Sequence, residues 1–296
     1  MSSTRVAVVF NPTSGAEPAA VREALAAAGL TDLAWLETTT DDPGAGVTRR
    51  AIAEGVALVI AAGGDGTVMA CVTAAAGTDV PLAVLPVGTG NLLARNFDIP
   101  LELAAAARIA AAGVHRRVDV GAIEDERFAV MAGMGFDAAM LRDAPPALKD
   151  RLGWPAYIVS GLQNVRRTPM TSFDLRLDDG APVRRRGRGV LVGNVGRLQG
   201  GLPVLPDARG DDGLLDVAVL APRRLRDWAG LAARIVLRRQ PRPEQLETWR
   251  AARVEIRADR ALPVQLDGDV RPSTDRLLVQ TQPAALALCV PVDPST

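Results

Sequence analysis

Hydrophobic and polar positions follow two different patterns along the chain, and the first covers about the first 120 residues. Short apolar runs there are followed by segments with the apolar spacing of a helix. The runs predict strands at residues 6–10, 33–38, 56–62 and 82–86, and the other segments predict helices at 18–28, 47–54, 68–76 and 101–112. Apolar strands alternating with helices predict a parallel sheet covered on both faces, which binds ligands at the carboxyl ends of its strands.

The second pattern begins after residues 118–120, where strand-like segments alternate apolar with polar residues and are separated by turn signals. It predicts an antiparallel sandwich or barrel. The strands are expected at 172–178, 190–193, 214–220, 253–258, 264–266, 276–281 and 285–290, with helical segments at 154–166 and 225–239. The change of pattern predicts two domains, residues 1–120 and 121–296, with a C-terminal segment able to pack back on the first domain.

Composition narrows the classes of protein. The chain has 296 residues, is 48% hydrophobic and carries no formal net charge, so we expect a globular protein without a nucleic-acid partner. Cys71 and Cys289 lie in apolar runs and are expected in the core. The N-terminus lacks the pattern of a signal peptide and no apolar run approaches the length of a membrane span, which predicts a cytoplasmic protein.

The scarcity of histidine and lysine limits the available chemistry. His115 is the only histidine, which favours carboxylates over a Ser-His-Asp triad for general-base catalysis. Lys149 is the only lysine, and no phosphate-binding Gly-x-x-x-x-Gly-Lys-Ser/Thr motif surrounds it. Any phosphate charge must therefore be met by backbone amides, arginine and a metal ion.

The stretch at residues 63–67, Gly-Gly-Asp-Gly-Thr, stands between an apolar strand-like run and a helix-like run. A strand, a glycine turn and a helix present free backbone N–H groups to a phosphate. Asp65 adds a carboxylate where a metal ion or an attacking hydroxyl would lie. The alternative is a hairpin turn, since Asp-Gly favours type I′ geometry, but the segment that follows has a helical pattern.

Three glycine-bearing loops follow strands in the first domain, at residues 11–15, 63–67 and 86–91. At one edge of one sheet they would form a continuous cradle for a nucleotide. None of them matches Gly-x-Gly-x-x-Gly, which argues against dinucleotide redox chemistry.

These loops and the motifs after them resemble the diacylglycerol kinase catalytic family, which includes soluble bacterial lipid kinases, sphingosine kinases and ceramide kinases. The likeness runs nearly end to end and rests on motifs in the same order. They are Asn11-Pro12 to Gly15, Gly63 to Thr67, Pro86 to Asn91 with Ala94-Arg95, Val118-Asp119-Val120-Gly121, Gly135-Phe136-Asp137-Ala138, Asp212-Gly213-Leu214-Leu215-Asp216-Val217 and Asp267-Gly268-Asp269.

The resemblance implies an α/β plus all-β fold: a parallel-sheet nucleotide-binding domain like those of NAD kinases and phosphofructokinases, then a β-sandwich, with the active site in the cleft between them. It implies ATP as the phosphoryl donor, Mg²⁺, and a lipid hydroxyl as acceptor, with diacylglycerol giving phosphatidic acid. The residues it assigns to ATP are Asn11, Thr40, Gly63, Gly64, Asp65, Gly66, Thr67, Val68, Met69, Ala70, Gly88, Thr89 and Asn91.

The resemblance also implies catalytic roles for three carboxylates. Asp269 would be the general base toward the lipid hydroxyl, with Asp267 as its orienting or alternative partner, and Asp65 would organise the catalytic Mg²⁺ and its water. The family usually has Glu where this chain has Asp269. It often has Asp-Phe where this chain has Leu92-Leu93, and Asn where it has Met69.

Four aspartates, Asp207, Asp211, Asp212 and Asp216, are concentrated in residues 206–217. Composition alone favours a solvated turn. The resemblance implies instead a structural Mg²⁺ held by Asp212 and by backbone carbonyls at Arg209 and Leu214, a donor set of hard oxygens that suits this ion.

Two basic stretches remain: Arg184 to Arg186 with Arg188, and Arg223, Arg224, Arg226, Arg234, Arg238 and Arg239 in and just before the predicted helix 225–239. That helix is either a basic amphipathic helix touching an anionic bilayer or an ordinary packed helix with a solvated face. We expect the protein to reach its lipid substrate through peripheral contact with the membrane surface. The sequence does not decide between a monomer and a homodimer. Alternative functions are a kinase for a sphingoid base, another lipid or a small soluble acceptor, and a catalytically silent nucleotide- or lipid-binding regulator.

Overall fold

The computed structural model describes residues 5–135, 169–197, 203–222, 224–237, 242 and 244–292. Several features of the sequence fall outside these residues: Lys149, most of the motif that begins at Gly135, the predicted helix 154–166, and Arg223, Arg238 and Arg239. The chain divides into two compact units, residues 1–120 with 283–296, and residues 121–282.

The first unit is built on parallel strands in the order β2-β1-β3-β4. Each strand is followed by at least one helix, as the apolar pattern predicts. The elements are β1 (Val6–Phe10), α1 (Pro18–Ala27), β2 (Leu33–Glu37), α2 (Ala45–Ala53), β3 (Leu58–Gly63), α3 (Asp65–Ala75), β4 (Leu82–Pro86), α4 (Leu92–Asn96) and α5 (Leu103–Ala112). Strands β1, β3 and β4 are buried along their whole length, because helices cover both faces of a parallel sheet.

Local signals determine where the helices begin. Pro18 opens α1, where its missing N–H costs no hydrogen bond. The Asp42 carboxylate accepts hydrogen bonds from three amides at the start of α2, including that of Val47 at 2.9 Å. Helix α3 starts at Asp65, three residues before the predicted helix, so the glycine turn is the first turn of a helix and the hairpin alternative is wrong.

The second unit consists mainly of antiparallel strands around a core of apolar side chains. Its elements are β5 (His115–Ile123, which begins in the first unit), β6 (Glu126–Phe128), β7 (Met131–Gly135), β8 (Thr171–Leu177), β9 (Val183–Gly187), β10 (Gly189–Gly193), β11 (Leu215–Leu220), α6 (Leu225–Val236), β12 (Leu246–Ala251), β13 (Arg253–Leu266) and β14 (Asp269–Cys289). The end of β14, from Pro283 onward, belongs to the first unit, where Leu288 pairs with Leu82 of β4.

Strands β13 and β14 correct the sequence prediction, which divided each of them into two strands. Pro263 and Pro283 lie at the predicted breaks, and proline cannot donate a ladder hydrogen bond. In β13 the pairing continues through register shifts on either side of Leu262. In β14 the chain continues through Ala284, whose φ is +51° and whose N–H donates to Asp119 at 2.7 Å. Irregular residues, and not turns, therefore join the predicted segments.

The strands of the second unit are hydrogen-bonded into one continuous sheet, and the register shifts in β13 divide its pairing into two halves. The first half of β13 pairs with β8, and the second half pairs with β7, which continues through β10 and β11 to β12. Phe173, Leu175, Val254 and Ile256, on β8 and β13, are fully buried. This is the sandwich predicted from the alternating pattern. No helix among the described residues is long and apolar enough to cross a membrane.

Both cysteines are free and buried, as the sequence predicts. Burial raises the pKa of Cys71 to about 12, although the Thr48 hydroxyl donates to its Sγ at 3.4 Å and opposes the shift. Burial also raises the pKa of Cys289 to about 11. Since the thiolate is the reactive form, we expect neither cysteine to react with a disulfide reagent at pH 8 in the folded protein, and both to react in urea. Rapid labelling of the folded protein would contradict this burial.

Candidate active site

Three loops meet at the carboxyl ends of β1, β3 and β4, and Asn11 joins the first of them to the second. Its Nδ2 donates to Thr67 Oγ1 at 3.2 Å, in the first turn of α3. Its Oδ1 accepts from both the N–H and the hydroxyl of Thr13, at 2.9 and 2.8 Å. A single side chain therefore shapes the loop after β1 and holds it against α3.

The second and third loops touch through backbone, at Gly64 and Gly88. A Cβ on Gly88 would lie 2.5 Å from the Cα of Gly64, and a Cβ on Gly63 would lie 2.6 Å from the Cβ of Thr67. These distances leave no room for a side chain at Gly63 or Gly88. Glycine at position 88 lets the third loop approach the second this closely, and glycine at position 63 leaves room for the Thr67 side chain within the second loop.

The contact between the two loops makes Gly88→Ala a destabilising change. The added methyl group meets backbone atoms of Gly64, which cannot rotate away, so we expect a loss of about 1–3 kcal/mol in the free energy of unfolding. Gly64→Ala is the matched control, because its Cβ would have no atom nearer than the Gly88 Cα at 4.0 Å. Urea unfolding measures both, and equal stability of Gly88→Ala and wild type would contradict the contact.

Asn91 and Asp65 complete the connection between the loops. Asn91 has a left-handed φ of +50°; its Oδ1 accepts from the Gly88 N–H at 3.1 Å and its Nδ2 donates to the Gly88 carbonyl at 2.7 Å. The Asp65 carboxylate accepts from the Leu92 N–H at 2.6 Å, which ties the start of α3 to the start of α4. Leu92 and Leu93 are buried.

The start of α3 has the character of an anion-binding site. Gly64 occupies the N-cap, so no side chain at that position takes the first amides of the helix. These amides and the helix dipole favour a negative charge at this end. Val68, Met69 and Ala70, further along α3, are buried. They can therefore contribute to a ligand site only through the backbone and by fixing the helix.

Thr40 and Thr89 are the exposed members of the predicted nucleotide set. Thr89 lies on the loop after β4, between Gly88 and Asn91. Thr40 lies on the loop after β2, where Thr39 Oγ1 accepts from the Asp42 N–H at 3.0 Å. Among the described residues, no hydrogen bond joins Thr40 to the three connected loops, so the structure brings together the rest of the set but not this residue.

In the second unit, Asp267 and Gly268 form the turn between β13 and β14. Their φ values of +47° and +96° fit a type I′ hairpin, so this stretch is a hairpin turn that also carries the predicted carboxylates. The Asp267 side chain is buried and accepts from three successive amides, those of Ala129, Val130 and Met131, at 2.7–3.3 Å. Asp267 therefore fastens the segment leading into β7 to the hairpin.

Asp269 is the first residue of β14 and is exposed. Neighbouring protein atoms crowd its carboxyl, and this partial desolvation raises its pKa. Arg271, two residues along the strand, opposes the rise, and Glu126 adds to it. Arg271 is itself held by Glu126, with Nε 3.0 Å and Nη2 2.7 Å from that carboxylate. The residue predicted as the base thus has a perturbed carboxyl beside a fixed cation.

The predicted metal loop is organised around an arginine that the sequence analysis did not identify. Arg250 of β12 is paired across the strands with Asp216, and its guanidinium forms an ion pair with Asp212. Its Nε lies 3.6 Å from Asp216 Oδ2. Burial raises the pKa of Asp216, Arg250 opposes this rise, and Asp212 and Asp207 add to it. No local motif signals Arg250, since it lies far away in the sequence.

Protein groups engage both oxygens of Asp212, the one side-chain donor of the predicted metal site. Arg250 neutralises Asp212, whose second oxygen accepts from the Leu214 N–H at 3.1 Å. Arg209 lies 3.5 Å from Asp211. Among the described residues, no group of three or more acidic, cysteine or histidine side chains is placed to hold a metal ion. The site at Arg209, Asp212 and Leu214 stays a prediction.

Comparison with known proteins gives a consistent assignment for both units. Residues 5–123 match the family described as diacylglycerol kinase catalytic domain, and residues 129–290 match the YegS C-terminal NAD kinase beta sandwich-like domain. A protein of Pseudomonas putida named "Probable lipid kinase YegS-like" is 33% identical over 88% of this chain and 88% of its own length. The diacylglycerol kinase of Bacillus subtilis is 29% identical over 90% of this chain and 89% of its own length.

A solved structure extends the likeness to the fold. A diacylglycerol kinase from Bacillus anthracis superposes with a TM-score of 0.76 at 21% identity, over 100% of this chain and 99% of that one. The two chains therefore share one fold over their full described lengths.

Proposed function

The chain belongs to the diacylglycerol kinase catalytic-domain family of lipid kinases, and from that premise we propose that it transfers the γ-phosphoryl group of ATP to the hydroxyl of diacylglycerol, giving phosphatidic acid. The observation that carries this proposal is the joined set of glycine loops around the uncapped start of α3. Such a cradle of amides suits the phosphates of a nucleotide and leaves the terminal phosphoryl group to be transferred.

In this proposal the first unit binds ATP, the phosphoryl donor. Asn11, Gly64 and Gly88 would hold the loops around the phosphates, and the amides at the start of α3 would donate to phosphate oxygens. Arg95, whose Nε donates to the Gly90 carbonyl at 2.9 Å, adds a positive charge beside the third loop. Mg²⁺ accompanying the nucleotide would offset charge on the transferred group.

The acceptor half falls to the second unit. Asp269 would accept or direct the proton of the lipid hydroxyl as the new O–P bond forms and the bond from the γ-phosphorus to the bridging oxygen of the leaving ADP breaks. Its raised pKa makes it a better proton acceptor than an ordinary aspartate. Phosphoryl transfer needs little base strength and much positioning, so an aspartate can serve where relatives have the longer glutamate. Asp267 would position this base by fixing the hairpin that carries it.

The pH dependence of kcat/KM should report the Asp269 carboxyl. Its pKa is raised, so activity is lost as the pH falls through a value above the ordinary aspartate range. Arg271→Gln removes the charge that lowers this pKa, so we expect the acid limb to move to higher pH. Arg260→Gln, a neutralisation on β13 at a residue that pairs with Asp259, is the control. An unchanged limb in Arg271→Gln would exclude Asp269 as the titrating group.

The proposal is tested by incubating purified protein with Mg²⁺, γ-labelled ATP and vesicles that contain diacylglycerol, sphingosine, ceramide and monoacylglycerol. Labelled phosphatidic acid is the expected product. A different labelled lipid would retain the reaction and replace the acceptor. ATP binding without any labelled lipid would contradict the lipid kinase and favour a soluble acceptor or a silent regulator.

A further inference from the structure

One face of the second unit carries an unusual concentration of arginine. Strands β9, β8, β13 and β14 lie side by side, and their side chains alternate between the two faces. The inner face carries Phe173, Leu175, Val254, Ile256, Leu277 and Val279, all buried. We name the opposite surface the basic sheet face; its charged residues are Arg176, Arg184, Arg186, Arg253, Arg257, Arg276, Asp174 and Glu255. Two further acids lie at its ends: Asp178, which accepts from the Arg253 N–H, and Asp259, which accepts from the Ser172 N–H and pairs with Arg260.

Asp174 and Glu255 are each paired with one arginine of the basic sheet face. Arg184 binds both oxygens of Asp174 at 2.7 and 2.8 Å, and Arg257 binds Glu255 at 2.6 and 2.8 Å. These arginines hold the pKa of each carboxyl below its usual range, so both acids stay ionised at neutral pH. The eight charged residues of the face therefore have a net charge of four, from arginines for which the described residues show no ion pair: Arg176, Arg186, Arg253 and Arg276. Arg176 and Arg253 also help to lower the pKa of Glu255.

Protection of a sheet edge does not account for this pattern. Charged residues on an edge strand discourage pairing with other chains, and β9 is an edge strand. However, Arg253 and Arg257 lie on β13, which has β8 on one side and β14 on the other. The charge therefore covers the breadth of the sheet. It is also local, because the whole chain has no formal net charge.

We propose that the basic sheet face binds the surface of an anionic bilayer. The inference rests in part on the proposed function, because a lipid acceptor resides in a bilayer that the enzyme must reach. Side chains on one face recur about every 7 Å along a strand and about every 5 Å between strands, so the guanidinium groups spread over many lipid headgroups. Arginine pairs closely with phosphate, and an anionic leaflet attracts clustered basic residues.

The surroundings of the arginines favour a bilayer over a nucleic acid. Leu278 of β14 is 41% exposed between Arg276 and Gln280, where an apolar group can enter the headgroup boundary. The outward-facing residues of the basic sheet face include no aromatic side chain on which a base could stack. The uncharged neighbours are otherwise Ser172 and Gln280.

Co-sedimentation with vesicles tests the proposal on the full chain. Wild type is expected to bind vesicles of phosphatidylcholine mixed with phosphatidylglycerol and to dissociate from them at high salt. It should not bind vesicles of phosphatidylcholine alone. Arg176→Gln/Arg186→Gln should weaken this binding by roughly tenfold or more. The matched control is Arg49→Gln/Arg50→Gln, which removes the same charge from exposed positions on α2. Thermal unfolding confirms that both variants are folded.

Three results would overturn the proposal. One is equal loss of binding in the α2 control, which would mean that only overall charge matters. Another is loss of binding in Arg226→Gln/Arg234→Gln on α6 with none in the sheet variant, which would place the contact on the basic helix. The third is tighter binding of duplex DNA than of anionic vesicles, with the same sensitivity to Arg176 and Arg186.

A second assay separates this inference from the proposed function. Short-chain diacylglycerol dispersed in detergent removes the need for a bilayer. The sheet variant should phosphorylate it at the wild-type rate and lose activity only on anionic vesicles. If wild type fails on the dispersed acceptor but still sediments through the basic sheet face, the proposed function fails and the surface assignment stands.

Discussion

Replacing Asp269 with asparagine should lower kcat for lipid phosphorylation by about a hundredfold to ten-thousandfold and leave the affinity for ATP unchanged. The amide has nearly the shape of the carboxylate but cannot accept the hydroxyl proton. The predicted ATP-binding residues all lie in the first unit, whereas Asp269 lies in the second. Initial rates on diacylglycerol vesicles and calorimetric titration with ATP measure the two effects.

Two further variants make the Asp269 experiment decisive. Asp275→Asn removes the same charge from an exposed position further along β14 and should retain wild-type turnover. Asp269→Glu, which restores the longer acid usual in the family, should keep measurable activity because the proton acceptor remains. Unchanged turnover in Asp269→Asn would remove this residue from the mechanism.

Asp267→Ala should cause the largest loss of stability at this hairpin, about 3–5 kcal/mol in the free energy of unfolding. The change leaves three buried amides, those of Ala129, Val130 and Met131, without their charged acceptor. Hydrogen bonds to charged groups are the strong ones, and a buried donor without a partner bears its full desolvation cost. Urea unfolding of the variant and of wild type measures the loss.

Asp178→Ala is the matched control for this second prediction. Asp178 also has a left-handed φ, +50°, and accepts from two amides, those of Ala252 and Arg253, at 2.9 Å. Because these bonds lie at an exposed turn, water replaces the lost acceptor, and we expect a loss of about 1 kcal/mol or less. Equal losses in the two variants would show that burial of the Asp267 bonds adds nothing.

The contrast between Asp267 and Asp269 shows where sequence reasoning reaches its limit. The Asp-Gly-Asp motif predicts both a turn and a pair of carboxylates. The motif does not show which carboxylate accepts hydrogen bonds from buried backbone amides. The amides that bind Asp267 belong to a segment more than 130 residues earlier in the chain. Arg250 was missed for the same reason, since it reaches Asp212 and Asp216 only once β11 and β12 pair.

The arginine run from Arg184 to Arg186 shows the same limit of sequence reasoning for a surface feature. As sequence it is one basic stretch. In the sheet, Arg185 turns to the opposite side and binds both oxygens of Glu247 at 2.7 and 2.8 Å, while Arg184 and Arg186 join the basic sheet face. The face exists because strand register places arginines from four separate segments side by side.

The sequence by itself determined the parallel strands of the first unit, the glycine loops that follow them and the change to an antiparallel sandwich. Each of these depends on local information: apolar runs, glycine positions and periodicity. Only the tertiary structure decided that β13 and β14 are continuous, that Asp267 is fastened to backbone while Asp269 stays exposed, and that the arginines share one face. Those features depend on pairing between segments far apart in the chain, and no local propensity encodes that pairing.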